Sequence, residues 1–526
     1  MRNLKLNATA AGIALALSGT ANAVIPGVQT EIFMSGASAP SNMLRENIVQ
    51  NACDQAQSIN VYVDFIDQVP GGGDPTLADP IVEHRTFWAV ECTAKLSSTG
   101  ITDRIAFYKT DAGGSGNGTT PILLTTVPLE FMDANATNCT LSVTGQKHGG
   151  TGANAGTYNL YECLQDDLVF QTPDVGVSDI EASKFVGKLA PTSGDFTDPN
   201  GYVEQKVGPG LIFGPIVTTG LRDELRDDQM AAVPSLLPGC VLPGGAETVA
   251  CMPSIPSAVV RSITVGKYNN WSDVSVYGQT VNVPSNFIAA DPKAGNIHLC
   301  RRVQGSGTHA EYLIHYHRTN CYVDAQAILN QPGAGAAGLF GGPLVYENSS
   351  SGTLGSCLDA LDTGGGLTSA KITPDIAVGV QSFGFGYQST EKNMALAKNF
   401  RYVKVDGIAP TLANAVKGDY RQIYYSGFQN RINTVDGSPR YRLGTLRTVA
   451  VDAAKVQALF DKTINISSSI VNVLNTAFVH GWGAAGFLVP DANAPTDYIP
   501  GDPRTPWTRE NSSKADSCQP LFIKKL

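Results

Sequence analysis

The sequence predicts an α/β protein of two lobes, enlarged by loop insertions. Three observations carry this reading: a length of 526 residues, strand patterns that alternate with helix patterns, and small-residue turns joining a strand to the helix after it. Beyond roughly 250–300 residues a single hydrophobic core stops growing and the chain divides. Strands that alternate with helices pack as α/β layers.

The elements follow in chain order. Arg2 and Lys5 precede an apolar run from Ala10 to Leu17, and Ala21-Asn22-Ala23 then supplies the small residues of a secretory cleavage site. The run is too short to span a bilayer. Residues 1–23 are expected to be removed, leaving a mature chain that starts near Val24 with no cysteine at the cut to carry a lipid. Asn60 to Ile66 alternates like a strand and ends at Gly71-Gly72-Gly73, and Arg104 to Tyr108 is a second short strand entering a glycine-rich loop. Pro410 opens a helix through Leu412 and Val416 to Gly418. Asp452 caps a helix with Val456, Leu459, Phe460 and Ile464 on one face, and Ser468 caps the next, with Ile470, Val471, Leu474 and Phe478. Stretches rich in Gly, Pro, Ser or Asn at 70–80, 144–157, 331–356 and 484–507 read as surface loops.

Composition narrows the classes. Hydrophobic residues make up 42% of the chain, an ordinary globular share, and 55 glycines with 30 prolines imply many turns without a collagen period. The formal charge of -9 becomes -11 once Arg2 and Lys5 leave with the signal. That balance speaks against nucleic acid, whose binding needs clustered Lys and Arg. A small anion is still accommodated, because a closed site acts through local donors. The ten cysteines are Cys53, Cys92, Cys139, Cys163, Cys240, Cys251, Cys300, Cys321, Cys357 and Cys518. An even number in an exported chain reads as disulfides, each worth about 2–4 kcal/mol through the unfolded state. No Cys-x-x-Cys pair occurs, which argues against zinc ribbons and thioredoxin-type chemistry. Spacing leaves the pairing open, with Cys240–Cys251, Cys300–Cys321 and Cys139–Cys163 the easiest closures.

The chemistry lies in three strand-to-helix turns. Asn296 to Arg302 is an apolar strand that delivers an arginine, and Gly305-Ser306-Gly307-Thr308 then opens a helix through Ala310, Tyr312, Leu313 and Tyr316. Glycine lets a backbone approach a ligand, and free N–H groups at a helix start favour an anion. Arg302 has a planar fork that grips two oxygens of a tetrahedral oxyanion. The bland reading of the same residues is a capped helix after a tight turn. Ser35-Gly36-Ala37-Ser38-Ala39-Pro40-Ser41 is a second such turn, with Pro40 in the first helical turn and Ser38 or Ser41 free to cap or to face a ligand. Asp174 to Ile180 ends a buried strand with Ser178 and Asp179 at its carboxyl end, where open α/β sheets bind ligands.

Taken together these segments resemble the periplasmic phosphate-binding proteins of ABC transporters, a phosphate-specific group within the two-lobed, type 2 periplasmic binding proteins. The likeness rests on Ser35 to Ala39, Gly176 to Asp179, Arg302 to Thr308, and Ile263 to Asp273 with its Gly266-Lys267 and Trp271. It implies two α/β lobes with a hinge, closing over dehydrated phosphate: residues 24–205 as the first lobe, 206–379 as the second, and 380–526 as the return to the first with a C-terminal extension. It further implies that Arg302, Ser306, Gly307 and Thr308 are the second lobe's anion contacts. Ser38 and Ser41 fall in the first-lobe loop, Asp179 matches the carboxylate that accepts a proton from phosphate, and Ser115 in Gly113 to Gly118 matches the serine-bearing glycine loop. The family's Thr-Phe is replaced by Pro40-Ser41, and Gln304 stands where it has Asp beside the arginine.

Other chemistry is poorly represented. Gly114 to Gly118 lacks the Gly-Lys-Ser/Thr ending of a nucleotide phosphate loop, and no Gly-x-Ser-x-Gly elbow occurs. His309, His315 and His317 have no Cys or carboxylate completing a metal set. Asp223, Glu224, Asp227 and Asp228 read as a solvated helix face, and Trp271 and Trp482 as packing residues. The expectation is a periplasmic or secreted monomer, not an enzyme, with no cofactor and no metal. It binds phosphate or a similar oxyanion, with an ABC transporter permease as the further partner. The alternative is a secreted or surface-associated protein that scavenges the anion or serves an extracellular assembly without transport.

Overall fold

The computed structural model describes residues 25, 27–64, 67–69, 81–83, 86–99, 101–119, 128–135, 137–147, 157–164, 167–185, 189, 202–205, 210–318, 343–365, 376–393, 396, 398–431, 487–491, 493–499, 504–509 and 523–525. The expected signal, the helices after Asp452 and Ser468, Cys321, Cys518 and Trp482 lie outside them.

Within these residues the fold is mixed α/β and built on two large sheets. The first has nine strands in the order 202–205, 427–431, 175–178, 30–36, 104–110, 87–93, 60–63, 157–163, 139–147. Its centre is parallel: Thr30–Gly36 pairs with Arg104–Thr110 on one side and Val175–Ser178 on the other. The second sheet places Leu344–Asn348, His298–Arg302, Gly384–Ser389 and Gly210–Thr218 side by side, the first three parallel to one another. All residues of Gly210–Thr218 are buried, as a central strand covered on both faces requires. Strand pairing thus puts 384–389, 400–402 and 423–425 in the second sheet, past the expected division at 379, and 427–431 in the first.

Each sheet has its own core. Ile32, Val61, Trp88, Val90, Phe107 and Leu160 anchor one, and Phe213, Val217, Leu221, Trp271, Leu299 and Phe385 the other. Ala39, Ile180, Phe185 and Leu189, which follow strands of the first sheet, pack into the second core. Trp271 is a packing residue: its indole N–H donates to the Phe383 carbonyl at 3.0 Å. Arg222 and Arg226 tie Asp223 and Asp227 into ion pairs along helix Thr219–Ala232. No helix among the described residues is long and apolar enough to cross a membrane.

Four disulfides are formed among the described residues: Cys53–Cys92, Cys139–Cys163, Cys240–Cys251 and Cys300–Cys357. Two are the short closures expected from spacing. Cys300 departs from expectation, because its partner Cys357 sits on helix Ser351–Thr363, which packs against the same sheet. Short separation in sequence loses to proximity across a strand-helix layer. The stretch 331–356, read as one loop, in fact contains the strand Leu344–Asn348 and the start of that helix. The helix at Pro410 begins at Leu412, since the Thr411 side chain accepts from the Asn414 N–H and fixes the cap there.

Candidate functional site

Parallel pairing decides where the site lies. In the first sheet the carboxyl ends of 30–36, 104–110 and 175–178 share one edge, which carries Ser38, Asp111 to Ser115 and Asp179. In the second, the carboxyl ends of 298–302, 344–348 and 384–389 share another edge, which carries Arg302 to Thr308, Ser349 to Ser351 and Ser389 to Glu391. The two edges meet. The Gly116 N–H donates to the Gly305 carbonyl at 2.6 Å, and Arg302 Nη1 donates to Ser38 Oγ at 3.0 Å.

Arg302 is 2% exposed and organises the junction. Its Nη1 also donates to Ser351 Oγ at 2.9 Å, its Nη2 to the Ser349 carbonyl at 2.9 Å, and its Nε to the Asn348 carbonyl at 3.2 Å. Ser38 Oγ and Ser351 Oγ are themselves 2.9 Å apart. Burial lowers the arginine to about 10, against the opposing pull of Asp179 and Asp111, so it is a cation at neutral pH.

Opposite lies Asp179, also 2% exposed. Ser115 Oγ donates to its Oδ2 at 3.2 Å and accepts from its backbone N–H at 3.1 Å. Burial, reinforced by the charge of Glu391 and opposed by Arg302, Ser115 and Lys109, raises the carboxyl to about 7. Asp179 Oδ1, Ser306 Oγ and Thr308 Oγ1 are buried without a hydrogen-bonding partner among the described residues. A buried polar atom left unpaired costs about 1–3 kcal/mol, and such atoms mark where a ligand or water is taken. Thr308 also borders a small cavity beneath the turn with His309, Tyr312 and Tyr387.

Two glycines allow the approach. A Cβ on Gly307 would lie 2.3 Å from Ser115 Oγ and 3.0 Å from Asp179 Cβ, and one on Gly114 would lie 2.9 Å from Ser306 Cα. Gly114 also has φ +64, a conformation side chains avoid. Overpacking of such a joint costs about 1–3 kcal/mol. Gly307→Ala is therefore expected to weaken phosphate binding about 5- to 100-fold by calorimetric titration. Unchanged affinity would mean that the two loops stay apart when ligand is bound.

Most residues singled out by sequence converge here: Ser38, Ser115, Asp179, Arg302, Ser306, Gly307 and Thr308. Two do not. Ser41 is turned into the first sheet, donating to Asp111 Oδ1 at 2.8 Å and accepting from the Trp88 indole at 2.8 Å. No side chain caps helix Ser41–Asn47, so Ser38 and Ser41 do not act as caps. Gln304 is exposed on the turn and stands outside the buried cluster.

Sequence reading missed three neighbours. Ser351 opens helix Ser351–Thr363 from a small-residue turn, Asn348-Ser349-Ser350-Ser351-Gly352, of the kind used elsewhere in the chain. Lys109 is fully buried at the end of an apolar strand, where its ammonium donates to the Gly36, Ala37 and Thr110 carbonyls and, at 2.6 Å, to Asp111 Oδ1. It clamps the 36–38 turn in place. Glu391 follows the end of strand Gly384–Ser389 and pairs with Lys392 at 3.5 Å. The three histidines near helix Gly307–Tyr312 form no metal set, and no group of three His, Cys, Asp or Glu is arranged to hold a metal among the described residues.

No protein-family model matches the sequence, and no curated protein matches it either. Among solved structures, the chain is similar to a protein described as a phosphate ABC transporter substrate-binding protein with bound phosphate from Clostridium perfringens. That likeness has a TM-score of 0.28 at 10% identity, covering 60% of this chain and 78% of the other. PstS from Borrelia burgdorferi gives a TM-score of 0.26 at 12% identity, covering 60% and 79%. An ABC-type phosphate transport receptor from Vibrio cholerae gives 0.24 at 10%, covering 50% and 70%.

Proposed function

We propose that this chain is an exported binding protein that closes two lobes over a small tetrahedral oxyanion, with phosphate as the ligand. The observation that carries the reading is the pair of buried atoms Ser306 Oγ and Asp179 Oδ1, which have no partner among the described residues, beside the buried cation of Arg302. A hydroxyl donor, a guanidinium and a carboxylate form a set suited to an anion that brings its own proton, since an ionised carboxylate only accepts. In this reading the lobes correspond to the two sheets, with the hinge where the chain passes between them at 425–427. Export is supported by the signal pattern and by four disulfides, which persist in oxidising compartments. Delivery to an ABC transporter permease follows from the family resemblance.

The test is titration of ligand-stripped protein with phosphate and with sulfate, accompanied by small-angle scattering. Phosphate is expected to bind, to outcompete sulfate and to reduce the radius of gyration by shifting the population to a closed form. A protein that takes up neither anion overturns the reading, and an unchanged scattering profile at saturation removes the hinge.

A further inference from the structure

Where the two sheet edges meet, buried carboxylates are as numerous as buried cations. Strand Gly384–Ser389 runs parallel to His298–Arg302 in the register Cys300↔Gly386, so its carboxyl end emerges beside Arg302. Two residues on is Glu391, whose side chain is 8% exposed and whose Oε1 pairs with Lys392 at 3.5 Å, with no closer hydrogen bond among the described residues. The Ser389 side chain, also buried, lies beside its carboxylate. Lys109, Arg302 and Lys392 face the carboxylates Asp111, Asp179 and Glu391 here, so cations and carboxylates are equal in number once Asp179 is ionised to accept a proton. Adding a dianion would bury two uncompensated charges, whereas a monoanion adds one and brings a second proton to donate.

We propose that Glu391 is a second proton-accepting wall of the anion site, so that the site selects the doubly protonated monoanion of phosphate over the dianion. This rests on the reading of the cleft as a phosphate site. One P–OH group donates to Asp179 and the other to Glu391, while the two remaining oxygens face Arg302 and the 305–308 turn. Burial raises Glu391 and Lys392 opposes that rise, and the charge of Glu391 in turn adds to the elevation of Asp179. Among the described residues the elements packed against Glu391 bring no competing charge without a partner of its own. Strand Gly210–Thr218 has no titratable side chain, and Arg401 is held by Glu247. Tyr402 donates to the Ser389 carbonyl, while Asp359 and Asp362 accept from the Asn399 and Gly220 backbones.

The experiment is phosphate titration of the full chain at about pH 7.5 and about pH 9, with sulfate as the protonless probe. Asp179 is already mostly ionised across this range while the phosphate monoanion disappears, so wild-type affinity is expected to fall about tenfold or more. Glu391→Gln is expected to reduce that fall to under about threefold and to raise sulfate affinity about tenfold. Lys392→Met, which breaks the same ion pair but keeps the carboxylate, is expected to retain the pH dependence. A wild type that binds phosphate equally at both pH values overturns the inference, as does a Glu391→Gln profile matching either wild type or Lys392→Met. Failure of the wild type to bind phosphate at all instead overturns the reading of the site on which it rests.

Discussion

Replacing Arg302 by alanine is expected to lower phosphate affinity by roughly 10²–10⁴. A hydrogen bond from a charged group is worth about 1.5–3 kcal/mol, and the guanidinium gives two to an anion that takes the place of the Ser38 or Ser351 hydroxyl on Nη1. The same substitution removes the bonds to Ser38, Ser351 and the Asn348 and Ser349 carbonyls, which connect the two sheet edges. It also removes the cation that holds Asp179 down. Stability should therefore fall as well, by about 3–5 kcal/mol if the carboxylate is left uncompensated. Arg302→Lys separates the two roles. It keeps a charge but loses the planar fork, so it should recover most stability and little affinity. Calorimetry with urea unfolding on both variants measures this, and affinity for Arg302→Ala within threefold of wild type would remove Arg302 from the site.

What the sequence made legible was the local chemistry of each turn. Gly305 to Thr308 reads as an anion turn because glycine, two hydroxyls and a helix start occur together after an apolar strand. The strand Asn60–Val63 is visible from alternation, although it ends earlier than the pattern suggests. Partners that depend on sheet order were not legible. Ser351 lies 49 residues from Arg302 and reaches it only because Leu344–Asn348 pairs in parallel with the arginine strand. Glu391 arrives by the same route from the other neighbour. Cys300 illustrates the point in covalent form, passing over a nearby cysteine for Cys357 on the covering helix. Ser41 shows the opposite error. Its hydroxyl in a small-residue turn looked ligand-facing, yet the buried Trp88 indole and Asp111 need a partner and claim it. Buried polar groups satisfy one another first, and only the atoms left over are candidates for a ligand.

Asp179→Asn is expected to erase most of the preference for phosphate over sulfate and to change how stability depends on pH. Near neutral pH phosphate carries a proton to donate and sulfate carries none, so a carboxylate at this position rewards one and repels the other. An amide keeps the shape, accepts only on its oxygen and carries no charge, so the ratio of the two affinities should drop about tenfold or more. Gln304→Asp, on the exposed part of the turn, should change that ratio little. The linkage has a definite sign. The folded carboxyl is raised to about 7 from a usual value of 3.8, so between those values the native chain holds a proton that the unfolded chain has released. Its contribution is present in full below the unfolded value and is lost as pH rises through about 7, by ~4 kcal/mol at most. Asp179→Asn removes this loss. The ligand-free variant should therefore gain stability relative to wild type on going from about pH 5 to about pH 8, measured as urea midpoints in phosphate-free buffer. An equal difference between the two proteins at both pH values would show that Asp179 does not titrate as a buried acid. An unchanged anion preference would show that it does not face the ligand.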